Sequence, residues 1–140
     1  MKDSIHKYFQ IGTIQWMSHP PAEYELLDSI KTICCDDYFD ALEVTQIKDA
    51  FVREKAKEML EQAHMKVCYG AQPRLLGPGL NPNDINEEGR EKAERTLLEA
   101  VDEAEYLGAK GIAFLAGKWE KETREKAYLQ LIKTTENVCE

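Results

Sequence analysis

The chain has 140 residues, 43% of them hydrophobic, which is ordinary for one globular domain. Its 26 acidic residues outnumber 18 basic ones, for a net charge of −8. Affinity for a nucleic-acid backbone comes mainly from Lys and Arg, so this balance argues against a broad nucleic-acid interface, while a small anionic ligand held locally stays compatible with it.

In chain order, Tyr8 to Trp16 is rich in aromatic and β-branched residues and reads as a first strand. Met17-Ser18-His19-Pro20-Pro21 is a loop, because two prolines forbid a regular ladder or helix interior. Glu23 to Cys34 places Leu26, Leu27, Ile30 and Ile33 at helical spacing, and Asp36-Asp37 ends that helix. Phe39 to Ile47 holds a second strand. Asp49 to about His64 is a second helix, with Val52, Ala56, Met59, Leu60 and Ala63 on its inner side. Lys66 to Ala71 is a weaker third strand. Gln72 to Asn86 is the longest irregular segment, punctuated by Pro73, Gly77, Pro78, Gly79, Pro82 and the cluster Asn81, Asn83 and Asp84. From Asn86 a long helix carries Ala93, Leu97, Ala100, Val101, Ala104 and Leu107 as one apolar stripe, and Gly108 is placed to end it in a left-handed cap. Ile112 to Gly117 is short, apolar and without polar alternation, as expected of a parallel strand buried on both faces. A fourth helix starts near Thr123, with Ala127, Leu131, Thr135 and Val138 inward.

The order β-α-β-α-β-α-β-α predicts an α/β fold with a parallel sheet and right-handed crossovers. An open flavodoxin-like sheet and half of an eight-stranded barrel both fit. The last residues, Thr135 to Glu140, stay in helical register with no terminating signal, which reads as a chain cut inside its fourth helix or one completed by a partner copy, against the simpler reading of a last turn that frays. No apolar run reaches the ~18 residues of a transmembrane helix, and Met1 to His6 lacks the apolar core of a signal peptide, so no membrane association and a cytoplasmic location are expected. Cys34, Cys35, Cys68 and Cys139 show no CxxC spacing and read as reduced, mostly buried thiols. Adjacent Cys34 and Cys35 point to different helix faces, so at most one belongs to the core.

Three stretches carry a family resemblance. Asp37-Tyr38-Phe39-Asp40-Ala41-Leu42-Glu43-Val44 resembles the "G-Y-D-G-V-E-L" that enters the second strand of xylose isomerase-like TIM barrels. Leu80-Asn81 to Arg95 is similar to that family's loop after the third strand. Ala104-Glu105-Tyr106-Leu107-Gly108-Ala109-Lys110 resembles its "A-x-x-L-G-A-K" before the fourth. The resemblance spans the first half of a family barrel, so it implies residues 1–140 as a single parallel (βα)4 domain, half of a TIM (β/α)8 barrel. It implies a divalent-metal-dependent sugar or sugar-phosphate isomerase or epimerase acting on a carbohydrate. Its metal (Mn, Mg or Zn) would be held by ligands at strands five to eight, so no metal site is expected in these residues and no activity from them alone. The apurinic-endonuclease branch places metal-binding histidines where this chain has Tyr69 and Leu115, which disfavours DNA repair.

Barrel active sites lie at the C-terminal ends of the strands. That selects Gln15, Trp16 and His19 after the first strand, Glu43 and Gln46 on the second, Tyr69 and Gln72 at the third, and Trp119 after the fourth. Trp and Tyr offer flat apolar faces to a sugar ring, and Gln and Glu hydrogen-bond hydroxyls. The family's sites use such side chains at these strand ends, which implies substrate-binding roles for Gln15, Trp16, Glu43, Gln46, Tyr69, Gln72 and Trp119. Trp16 and Trp119 also suit core or loop packing, Glu43 a structural salt bridge, and His19 a solvated loop. The alternative to an enzyme is a non-enzymatic half-barrel or flavodoxin-like module that pairs through open sheet edges, with itself as a homodimer or with another protein.

Overall fold

The computed structural model describes residues 4–21 and 25–140. Over the described residues it is an α/β fold with six α-helices and a four-stranded sheet in the order β1-β2-β3-β4. The strands are β1 (Gly12–Ile14), β2 (Ala41–Val44), β3 (Lys66–Gly70) and β4 (Ile112–Ala113). The helices are α1 (Gln15–Ser18), α2 (Leu26–Cys34), α3 (Ala50–Gln62), α4 (Gln72–Leu76), α5 (Glu87–Tyr106) and α6 (Arg124–Cys139). The β1–β2 and β2–β3 pairs are parallel. Tyr69 N–H donates to Gly111 O and Ala71 N–H to Ala113 O, advancing along both segments in the same direction, so β4 joins in parallel too. Contacts group the chain into two compact units, 1–69 with 107–111 and 70–106 with 112–140.

In the first unit the register sets Thr13, Leu42 and Val67 in one row and Ile14, Glu43 and Cys68 in the next. Side chains alternate across a strand, so these rows point to opposite faces. Leu42, Val44, Val67 and Tyr69 are buried, as are Ile30 and Ile33 of α2 and Ala56 and Leu60 of α3, which packs on α2. On the other face Gly12, Lys66 and Cys68 are exposed, and Ile14, Ala41 and Glu43 are half-buried. Within this unit the sheet is covered on one face and more open on the other.

Asp49 caps α3 by accepting from Val52 N–H at 2.9 Å. The start expected for the first long helix, at Glu23, lies outside the described residues, and α2 is seen from Leu26.

The second unit is built on α5, whose buried stripe of Ala93, Leu97, Ala100 and Ala104 packs on α6. Outside that unit's bounds, the next turn leaves the helix through Gly108 at φ +71°, the left-handed cap expected there. The apolar run after it differs from expectation. Only Ile112 and Ala113 pair as strand, Ile112 and Phe114 are half-buried, and Ala113, Leu115 and Ala116 are exposed. Apolar character alone does not say which face is covered. On α6 the deeply buried positions are Ala127 and Thr134, while Leu131, Thr135 and Val138 are half-buried. The thiols also differ from expectation: Cys34 is half-buried, and Cys35, Cys68 and Cys139 are exposed.

Candidate functional site

The first strand is shorter than its composition predicts, because the chain turns directly after Ile14 into α1. Ser18 Oγ donates to Ile14 O at 3.0 Å, and His19 N–H donates to Gln15 O at 2.9 Å. Gln15 is thereby buried, and its Nε2 donates to Ser29 Oγ at 2.8 Å, tying α1 to α2. Trp16 is half-buried on α1, directly after β1. Gln46 is exposed in the loop after β2. Tyr69 is 0% exposed and lies in the covered row beside Val44, so its ring belongs to the core.

Among the described residues of this unit, Glu43 has the buried side-chain oxygen that lacks a partner. It is the third residue of β2, close to the C-terminal end, and it shares the open row with Ile14 and Cys68. Its Oε1 is shielded from solvent and has no hydrogen-bond partner among the described residues. Carboxylate oxygens removed from water are costly to leave unpaired.

In the second unit Gln72 opens α4, half-buried, with Oε1 likewise lacking a partner among the described residues. Trp119 is 57% exposed, with the Arg124 guanidinium 5.5 Å from its ring centre. Asn83 is 5% exposed, and its Oδ1 is also unpartnered among the described residues. It sits against Gly117 in the wall of a cavity. In the sequence Asn83 reads as a turn former, and no spacing joins it to a glycine so far along the chain.

Among the described residues, a polar cluster ties the second unit together. Arg90, 2% exposed, lies on the buried stripe of α5. It donates to Glu94, to Glu87 at 3.0 Å and to Thr134 Oγ1 at 3.1 Å, and Thr134 Oγ1 donates to Pro82 O at 2.8 Å. Glu87 also accepts from Lys133 and, at 2.9 Å, from Gln130, while Asn137 donates to Glu94 at 2.8 Å. The clamp thus joins α5, α6 and the 80–86 loop. A second tie runs from Arg74 on α4 to Glu99 at 2.9 Å and Glu103 at 3.2 Å on α5. The Arg90 hydrogen bond, followed by those of Lys133 and Gln130, holds the Glu87 carboxyl down from 4.5 to about 2. A carboxyl lowered in the fold contributes stability above its unfolded value that is lost as pH falls. Thermal melts are therefore expected to shift downward as pH drops from about 4.5 to about 2, and Glu87→Gln should flatten that part of the profile.

Among the described residues no three His, Cys, Asp or Glu side chains converge to hold a metal ion, and no helix is long and apolar enough to cross a membrane. Neither protein-family models nor curated proteins give a match to the sequence.

Proposed function

We propose that the chain is the N-terminal half of a (βα)8 barrel and that its open sheet face lines the substrate site of a sugar or sugar-phosphate isomerase or epimerase. One observation carries the reading: the unpartnered, shielded carboxylate oxygen of Glu43 on the open face of β2. A polar ligand that donates hydrogen bonds removes the penalty of leaving it unpaired, and sugar hydroxyls are such donors. A carboxylate so placed can also take a proton from a carbon next to a carbonyl, the step on which aldose–ketose interconversion depends. Its place near the C-terminal end of a parallel strand is where barrel enzymes keep their chemistry. The one-sided sheet supports the barrel, since parallel sheets are almost always covered on both faces.

The described residues do not supply a donor set for the divalent metal that this enzyme class uses, so no step is assigned to it. In the proposal those ligands come from the other half of the barrel. The test is a panel of aldose–ketose and epimer interconversions, of free and phosphorylated sugars, with manganese, magnesium or zinc. The natural gene product carrying this chain is expected to turn over, and Glu43→Gln to lower kcat about 100-fold at unchanged melting temperature. Turnover by the isolated 140-residue chain contradicts the half-barrel. Undiminished turnover in Glu43→Gln contradicts the role of that carboxylate.

A further inference from the structure

The second unit holds a recess that the Glu43 reading does not use. Its floor is the 80–86 loop, pinned from one side by the Thr134–Pro82 hydrogen bond and from another by Lys118 N–H, which donates to Asn81 Oδ1 at 3.2 Å. Over this loop runs the segment around Gly117, at φ +101°. A Cβ on Gly117 would lie 2.2 Å from Asn83 Oδ1 and 3.0 Å from Asn81 Cβ, so only glycine lets the two segments close this tightly. The closure buries Asn83 and leaves its Oδ1 without a donor among the described residues. Beside it opens a cavity of about 320 Å³, lined by Asn83, Gly117, Trp119, Arg124, Tyr128 and Leu131 among others.

The lining names the ligand chemistry. Asn83 Oδ1 is an acceptor, so the ligand brings a donor such as a hydroxyl. Trp119 and Tyr128, both largely exposed, offer rings for an apolar face to rest on. Arg124 is the only charged residue in this lining, and among the described residues it forms no ion pair. Its guanidinium suits a carboxylate or phosphate. The adjoining recess of about 210 Å³ shares Asn83 and Trp119 but is lined by Asp84 and Glu120 against Lys118. That excess of negative charge disfavours an anion there, whereas the recess on the other side of Arg124 balances Lys121 and Arg124 against Glu122 and Glu125.

We propose that this cavity binds a small hydroxylated ring carrying one anionic group, a sugar acid or a sugar phosphate, with the anion at Arg124, a hydroxyl donating to Asn83 Oδ1 and the ring face on Trp119 or Tyr128. The site stands on the second unit alone, so it and the Glu43 reading can fail separately. The test is an NMR titration of the purified chain, following the indole N–H of Trp119 and the backbone amides of Gly117 and Lys118. The probes are glucuronate, glucose 6-phosphate, glucose and inorganic phosphate. At least one of the two anionic sugars is expected to move these signals with a Kd in the millimolar range or tighter. Glucose and phosphate should each bind at least about tenfold more weakly than that sugar. The anionic sugar that binds identifies a carboxylate or a phosphate as the preferred group. Arg124→Gln, an exposed position, should weaken binding about tenfold without lowering the melting temperature. Tyr128→Ala or Trp119→Phe should weaken it further if the ring rests there. Absence of any shift with both anionic sugars at about 10 mM overturns the proposal. So does equal affinity in Arg124→Gln, or for glucose or phosphate alone.

Discussion

Arg90→Ala is expected to lower the unfolding free energy by about 3 kcal/mol, read from the midpoint of a urea or guanidinium transition. The size follows from where the charge lies. Arg90 is 2% exposed and satisfies Glu94, Glu87 and Thr134 at once. Removing it leaves Glu94, itself 16% exposed, short of its main cation, and it opens a hole on the face where α5 meets α6. Arg90→Met fills much of that hole with apolar volume and should recover part of the loss, because well-packed apolar residues often replace buried ion pairs at little cost. Loss of less than about 0.5 kcal/mol in the alanine variant, the range of ordinary surface substitutions, would show that the clamp does not hold the second unit together.

Leu42→Ala is expected to cost about 3 kcal/mol in the same measurement, through lost burial and the cavity left behind. Leu42 is fully buried in β2, which has a paired strand on each side, and its register neighbours are Thr13 and Val67. Leu76→Ala is the internal control. Leu76 is 62% exposed at the end of α4, and its loss should lie within about 0.5 kcal/mol of zero. Equal losses at the two positions would place the apolar core elsewhere than in the covered face of the sheet.

The long elements were legible because their signals are periodic and local. Ala93, Leu97, Ala100, Ala104 and Leu107 repeat at helical spacing and are buried, and Gly108 ends the helix with positive φ. What the sequence hid depends on partners far along the chain. Arg90 continues that stripe one turn earlier, but a charged residue reads as solvated unless its acceptors are known. Glu87 and Glu94, at i−3 and i+4, were the visible hint, whereas Thr134 could be placed only by the fold. Pro73 reads as a loop former, yet it sits in the first turn of α4, where its missing N–H has no intrahelical acceptor to lose. Tyr69 and Glu43 lie on neighbouring strands near their C-terminal ends and look alike as candidates. The register sends one into the core and leaves the other on the open face, a difference of one residue in pairing.

Cys68 reports directly on the more open face of the sheet. Cys68 shares the row of Glu43 and is exposed, as are Cys35 and Cys139, while Cys34 is half-buried. Burial, and next the neighbouring Cys35, push the Cys34 thiol up and slow its conversion to the reactive thiolate. Timed alkylation of the purified native chain, read cysteine by cysteine in a mass spectrometer, separates the cases. Cys68 is expected to modify on the same timescale as Cys139, with Cys34 the slowest of the four. Protection of Cys68 while Cys139 is fully modified would mean that the sheet face is already covered, and would contradict the account.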